Sequence, residues 1–345
     1  MSDRSSDRTA RRKRRNVFRS TAVVLIFLLF VLLLTAAFWG LGQLASRVPD
    51  EDAASTTATT EQTTTTAATT ARPTVPALDA SALDAAINAK RVIVYNVTYD
   101  TVVYSKNADD ICAPASTTKL LTAAIAVRLG DMTEPITIGE EIKLVKDGSS
   151  LAKLQVGQTL TLSQLLDALL IPSGNDAAYA LAAYIGRKLA PDAADLQAAV
   201  DAFVAEMNRQ AKELGCISSH FMNPDGMTAE GHQTTARDML LIARHANTFT
   251  AIRQCVMKSA VSTEIDGKTV YWKNSNEMIH PANRYHYTYI IGTKTGFTTP
   301  AGYCLVGTAN RIGEEVITVV MGADSSDDRF RDTKTLFEAA FAHNG

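Results

Sequence analysis

The stretch PASTTKLLTAAIAVRL, residues 114–129, decides the fold. Pro114 and a Ser-Thr-Thr cluster open it, and residues 119–129 then keep helical spacing. Ser116 and Lys119 stand three positions apart, so on a helix both side chains leave the same face. That sets an amine beside a hydroxyl. A serine hydroxyl is a weak nucleophile until a base takes its proton. A lysine can be that base when burial or a nearby cation lowers its pKa. Taken alone, S-x-x-K equally describes a capping serine followed by an exposed lysine.

Two further patterns lie downstream. Ser173-Gly174-Asn175-Asp176 follows an apolar run ending in Pro172. Pro172 cannot continue a helix and Gly174 permits a tight turn, so Ser173 and Asn175 are expected on a loop between two helices. A capping turn, with Asp176 as the cap, explains one polar group there but not both. Gly292-Thr293-Lys294-Thr295-Gly296-Phe297 falls in a strand-rich section. There Lys294 is a fixed cation on a strand, and Gly296 is expected to let a ligand backbone approach closely.

Around these patterns, residues 91–96 and 101–105 read as a β-hairpin. Residues 163–170, 177–189, 193–214 and 235–246 carry helical spacing. Short strands are expected at 260–265, 268–272, 303–309 and 316–321, and a last helix at 328–342 with Asp327 as its cap. A strand pair first, helices in the middle, then strands and a closing helix predict an α+β fold, an antiparallel sheet flanked by helices.

In this order, S-x-x-K, S-x-N and K-T-G resemble the signature of the penicillin-binding proteins and serine β-lactamases. The longer segments APASTTKLLTAAIAVR (113–128), GSS (148–150), LLDALLIPSGNDAAYAL (165–181), HFMNPDGM (220–227), NSN (274–276) and GTKTGFTTPAGYCLV (292–306) are more specific. They resemble the low-molecular-mass penicillin-binding proteins, the serine-type D-alanyl-D-alanine carboxypeptidases (penicillin-binding protein 5/6-like), over about residues 80–342. The resemblance implies a β-lactamase/transpeptidase-like fold. It implies removal of the terminal D-alanine from peptidoglycan pentapeptides ending in D-Ala-D-Ala. Ser116 then resembles the nucleophile that forms the acyl-enzyme, and Lys119 its general base. Ser173 resembles the hydroxyl that relays a proton toward the leaving amine. Asn175 resembles the amide that binds the peptide. Lys294 and Thr295, beside Gly296, resemble the binders of the terminal carboxylate. The backbone N–H groups of Ser116 and Phe297 match the oxyanion hole. The implied partners are peptidoglycan stem peptides, with β-lactam antibiotics as covalent inhibitors, and no cofactor or metal.

The alternatives weighed are a class A-like serine β-lactamase and a membrane-bound β-lactam sensor. The first would carry Asp where Gly174 stands and a deacylating Glu, for which Glu206-Met207-Asn208 is poorly spaced. The second needs a substantial intracellular part, and only residues 1–19 are expected inside.

The amino-terminal quarter is read from charge and hydropathy. The whole chain of 345 residues has a formal net charge of -2, which argues against a nucleic-acid partner. Residues 1–19 nevertheless carry a net +6 and the remainder -8. No charged residue lies between Arg19 and Arg47, and residues 22–44 are nearly all apolar. About 20 helical residues span the ~30 Å hydrocarbon core. Residues 20–46 are therefore expected to form a transmembrane anchor, with Trp39 near its outer end and the basic tip (1–19) cytoplasmic. The run is longer than a secretory signal core and offers weak cleavage sites, which favours an uncleaved anchor. Many family members instead carry a second, β domain and a C-terminal amphipathic helix; here attachment is expected at the N-terminus. Residues 47–76, rich in Thr and Ala, lack large apolar groups and are expected to be a disordered linker. Residues 77–345 form the catalytic domain, expected outside a single bacterial membrane. Length alone would have suggested about two domains.

Cys112, Cys216, Cys255 and Cys304 fit no zinc spacing, and the six His include no HExxH. Outside the cell an even number permits disulfides. A Cys216–Cys255 pair and free buried thiols are both open.

Overall fold

The computed structural model describes residue 75 and residues 77–342. Every described residue lies within one compact unit, Thr70–Gly345. The expected cytoplasmic tip, anchor and nearly all of the linker fall outside the described residues. Among the described residues no helix is long and apolar enough to cross a membrane.

The described chain opens with helix α1 (Ala80–Ala86) and the expected hairpin, β1 (Arg91–Asn96) with β2 (Thr101–Lys106). A 3-10 turn, Ala115–Thr118, leads into α2 (Lys119–Leu129). A small ribbon of β3 (Pro135–Thr137) and β4 (Thr159–Thr161) precedes α3 (Leu162–Leu170), α4 (Asn175–Leu189), α5 (Leu196–Glu213), α6 (Ala236–Asn247) and α7 (Thr250–Val256). A second ribbon joins β5 (Ala260–Ile265) to β6 (Lys268–Lys273). Strands β7 (Ile290–Thr298), β8 (Gly302–Arg311) and β9 (Glu314–Ala323) and helix α8 (Ser326–Ala340) complete it.

The main sheet has five antiparallel strands in the order β2-β1-β9-β8-β7. Its side chains alternate between two cores, as a period of two requires. Val92, Val94, Leu305, Val316 and Val320 pack with Leu83 of α1 and Phe330, Leu336 and Phe337 of α8. Ile93, Tyr95, Val306, Ile317 and Val319 face the larger helical core. Strand β1 is buried on both sides, which is why VIVY carries no polar alternation.

Helix α2 is the hub of that larger core. Residues 119–126 are all buried, and α2 packs against α3, α4, α5, α6 and α7. Between Leu120 and Ala126 only Thr122 is polar, as a helical stretch with no solvent face requires, and Arg128 marks the turn where the helix reaches solvent. Leu120, Leu121 and Ile125 are fully buried, each worth about 1.5–3 kcal/mol of transfer free energy. Lys119 leads this helix, so its amine is carried into the interior.

Several boundaries differ from expectation because side-chain caps set them. The helix expected from 193 begins at Leu196, where Asp195 accepts from Ala198 N at 2.8 Å. Thr161 and Gln164 form a capping box at the start of α3. The last helix is capped by Ser325, whose hydroxyl accepts from Asp328 N at 3.0 Å, while the expected cap Asp327 pairs with Arg284 at the surface. The four cysteines are free, so Cys216 and Cys255 are unpaired; their thiols donate to Asp238 O (3.4 Å) and Leu166 O (3.6 Å).

Candidate active site

The Ser116 turn is shaped by its neighbours. Ala115 is buried at φ 49°, a conformation costly for a residue with a Cβ. Thr117 Oγ1 donates to Pro114 O at 2.6 Å and holds the turn closed. Strand β7 passes directly beside it. A Cβ on Gly296 would come within 3.0 Å of Ser116 N and 3.2 Å of Thr117 N. Gly296 thus admits the Ser116 turn itself against the strand, a tighter demand than the ligand approach expected of it.

Lys119 Nζ reaches three acceptors: Ser116 Oγ at 2.8 Å, Asn175 Oδ1 at 2.7 Å and Asp225 O at 2.7 Å. The side chain is fully buried. Burial lowers its pKa to about 8, against the opposing pull of Asp225 and Asp176. A neutral amine donating to Asn175 Oδ1 and Asp225 O keeps its lone pair for Ser116. The arrangement can therefore deprotonate a serine hydroxyl.

The second motif is held by a loop. Asn175 opens α4, with Gly174 at its N-cap and no side-chain cap. Asp176, expected as the cap, instead turns its carboxylate outward from the helix to accept from Ala152 N and Leu154 N, both at 2.9 Å, besides its own neighbour Ala177 N. Trp272 Nε1 donates to Ala152 O at 2.9 Å. Asn175 N donates to Ser150 O (2.8 Å), and Ser150 Oγ donates to Ser173 O (2.6 Å). These bonds bring the Gly-Ser-Ser segment to the cleft wall. Ser173 sits at φ 65°, strain of the kind that collects at functional turns.

A cleft of about 280 Å³ is lined by Ser116, Ser149, Ser173, Asn175, Thr295 and Arg329, among others. A larger hollow of about 410 Å³, between Val97, Leu214 and Arg244, reaches none of the motif residues. Phe297 is half exposed at the cleft rim, its ring stacked on Tyr303 with centroids 4.3 Å apart. Thr295 Oγ1 shares a 2.8 Å hydrogen bond with Ser275 Oγ, and Ser275 also lines the cleft.

Lys294 lies on strand β7, as expected, but it does not line the cleft where a cation was expected to meet a carboxylate. It is buried and donates to Thr295 O at 2.8 Å. Burial, then the charges of Lys119 and Arg329, push its pKa well down.

The cation lining the cleft is Arg329 of α8, which no motif announces. Its guanidinium donates to Gly296 O (3.2 Å) and Ser326 Oγ (3.1 Å), and lies over the rings of Tyr303 and Phe330. Burial lowers its pKa only to about 10, so it stays charged at neutral pH. Asp225, within the quoted segment 220–227, is the second residue that motif reading left without a role. Its position beneath Ser116 comes from packing: a Cβ on Gly226 would lie 1.9 Å from Ala115 O.

Glu206, the poorly spaced candidate for a deacylating base, lies on α5 in an ion-pair cluster with Arg128 and Arg209. Among the described residues no cluster of three His, Cys, Asp or Glu side chains is arranged to hold a metal ion.

Residues 77–325 match the family model of the S11 peptidases, described as D-alanyl-D-alanine carboxypeptidase. A D-alanyl-D-alanine carboxypeptidase of Streptomyces strain K15 is 33% identical over 252 residues, 70% of this chain and 83% of that protein. Carboxypeptidase DacF of Bacillus subtilis is 29% identical over 264 residues, 75% of this chain. The match spans 64% of DacF, so under two thirds of that relative's length. Among solved structures, the Streptomyces K15 DD-transpeptidase superposes with a TM-score of 0.69 at 32% identity, covering 74% of this chain and 98% of that one. The ampicillin-bound penicillin-binding protein D2 of Listeria monocytogenes gives 0.61 at 29% identity, with the same coverages.

Proposed function

This chain belongs to the D-alanyl-D-alanine carboxypeptidase family, and from that premise we propose that it removes the terminal D-alanine of peptidoglycan pentapeptides through an acyl-enzyme on Ser116. The single observation that carries this is the 2.8 Å contact of a buried Lys119 amine with Ser116 Oγ. Neutral Lys119 takes the hydroxyl proton as Ser116 Oγ attacks the penultimate D-Ala carbonyl. The Ser116 and Phe297 N–H groups receive the oxyanion, each such donor worth ~3 kcal/mol of barrier. Ser173, on the same cleft, passes a proton to the departing D-Ala amine. Water then releases the shortened peptide and restores Ser116.

The substrate's terminal carboxylate is assigned to Thr295 and the Arg329 guanidinium, with Lys294 behind them. An anion entering the cleft would favour the protonated form of Lys294 as well. A β-lactam presents a similar carboxylate and a strained amide, and is expected to acylate Ser116.

Residues 20–46 are proposed as a single-pass anchor in the bacterial cell membrane. The charge asymmetry supports an inside tip and an outside catalytic unit. Residues 47–76 then serve as the linker, whose Thr/Ala-rich part, 53–76, has a reach of ~30 Å as a coil and ~80 Å extended.

The test is incubation of the full-length protein with a pentapeptide ending in D-Ala-D-Ala. Stoichiometric release of D-Ala is expected. A folded protein that releases none refutes the proposal. Adding an amine acceptor to the same incubation reads transfer, the activity named for the Streptomyces structure.

A further inference from the structure

We infer that the Asp225 carboxylate is a positioning group for the Ser116–Lys119 pair: it fixes the direction of the Asn175 amide and holds the proton on Lys119, so setting the pH above which Ser116 is acylated. The inference rests on the acylation chemistry proposed above.

Asp225 is fully buried in the loop beneath the nucleophile turn. Its backbone and its side chain act on the same pair by two routes. The backbone carbonyl accepts from Lys119 Nζ at 2.7 Å and lies 3.5 Å from Ser116 Oγ. The carboxylate Oδ2 accepts from Asn175 Nδ2 at 2.7 Å, and Oδ1 accepts from Met227 N at 3.1 Å. Two N–H donors on the two oxygens suit an ionised carboxylate.

An amide can turn end for end, and nothing local to Asn175 prevents it. A flipped Asn175 would aim its NH2 at the Lys119 amine and its oxygen at the Asp225 carboxylate, two donor–donor or acceptor–acceptor contacts. Asp225 therefore dictates that Asn175 shows Lys119 an oxygen. That oxygen is one of the two fixed acceptors that leave the amine's third position for Ser116.

The charge acts beside the hydrogen bond. Asp225 is faced by Lys119 of α2, Lys146 from the loop before the Gly-Ser-Ser segment, and Tyr179 of α4. Lys119 is faced in turn by Asp225 and by Asp176 of α4, and its own charge bears on Lys294 of β7. Burial strips water from both groups, and raises the carboxyl pKa of Asp225 while Lys119 opposes the rise. An unscreened anion in this position favours the ammonium form of Lys119. The free protein is thereby held partly in a resting, protonated state at neutral pH.

The experiment compares the full-length protein with its Asp225→Asn variant. The second-order rate of acylation by a fluorescent penicillin is followed against pH. Loss of the charge should move the midpoint of the acid limb down by about one pH unit. The plateau should fall roughly tenfold, because an Asn at 225 offers one acceptor for two donors and no longer dictates the Asn175 direction. A 13C-lysine titration of Lys119 in the same pair should show the same downward move. An unmoved midpoint in both measurements, whatever the plateau does, overturns the inference, since a merely structural role would lower the rate without moving the titration. D-Ala release is read separately. A protein that takes up penicillin but releases no D-Ala sinks the carboxypeptidase reading, while the midpoint still decides the role of Asp225.

Discussion

Lys119 Nζ stands 2.8 Å from Ser116 Oγ, and of its three contacts only this partner has a proton to give. Asn175 Oδ1 and Asp225 O are pure acceptors, so they orient the amine. Burial completes the device by making the neutral form accessible near physiological pH.

The acylation rate should therefore follow the neutral fraction of Lys119, with a midpoint near 8. Below the midpoint the ammonium cannot take the Ser116 proton, and the rate should fall about tenfold per pH unit. Lys119→Ala should lower the rate by roughly 10²–10⁴, and Ser116→Ala should abolish covalent labelling. The same depression makes stability rise with pH between about 8 and 10.5, where the unfolded chain holds the lysine proton and the folded chain does not. A flat penicillin-acylation profile across pH 8 would contradict the assignment of the base.

Arg329→Leu should lower kcat/KM on D-Ala-D-Ala peptides by roughly 10–100-fold, the range for one charge-assisted hydrogen bond. Arg329→Lys should rescue only part, because a point charge neither forks nor stacks between Tyr303 and Phe330. The same peptide with its terminal carboxylate amidated should be a poor substrate that distinguishes little between wild type and variant. Equal losses on both peptides would show a structural role instead.

His232 carries a pH-dependent share of stability. Its Nδ1 accepts from Met222 N at 3.0 Å, which puts the ring proton on Nε2, 3.2 Å from Thr118 Oγ1. Burial lowers its pKa to about 4 from 6.5. The unfolded chain thus binds a proton between those values that the folded chain refuses, so stability falls as pH drops through that window. The loss totals roughly 3 kcal/mol when complete. Thermal unfolding between pH 7 and 4 should show it, and His232→Asn should flatten it. An unchanged slope in the variant would assign the acid lability to other groups.

Chemistry was legible in the sequence wherever one local rule sufficed. Ser116 and Lys119 share a turn of helix, and the spacing alone sets amine against hydroxyl. The strand pair and the apolar hub helix were readable from period and composition. Asp195, Thr161 and Ser325 were missed as caps because polar residues beside a helix are interchangeable until a backbone N–H selects one. Asp327 was as good a candidate as Ser325 on composition alone. Gly226 was invisible for a different reason. Its demand for a missing Cβ comes from the Ala115 carbonyl, far away in sequence.

By itself the sequence determined the pairing of the Ser116 hydroxyl with the Lys119 amine, the order of three motifs, and an antiparallel sheet with helices, because each rests on neighbours along the chain. Only the tertiary structure decided which residues meet them. Asn175, Asp225 and Arg329 come from α4, a loop and α8, and no periodicity relates them. Packing of α2 at the centre of the helical core buries Lys119 and so shifts its proton affinity. Packing of β7 against the Ser116 turn, and of α8 against β8 and β9, withdraws Lys294 into the interior and leaves Arg329 at the cleft. Proton affinity and charge placement depend on water excluded from all sides, and exclusion is a property of the assembled fold.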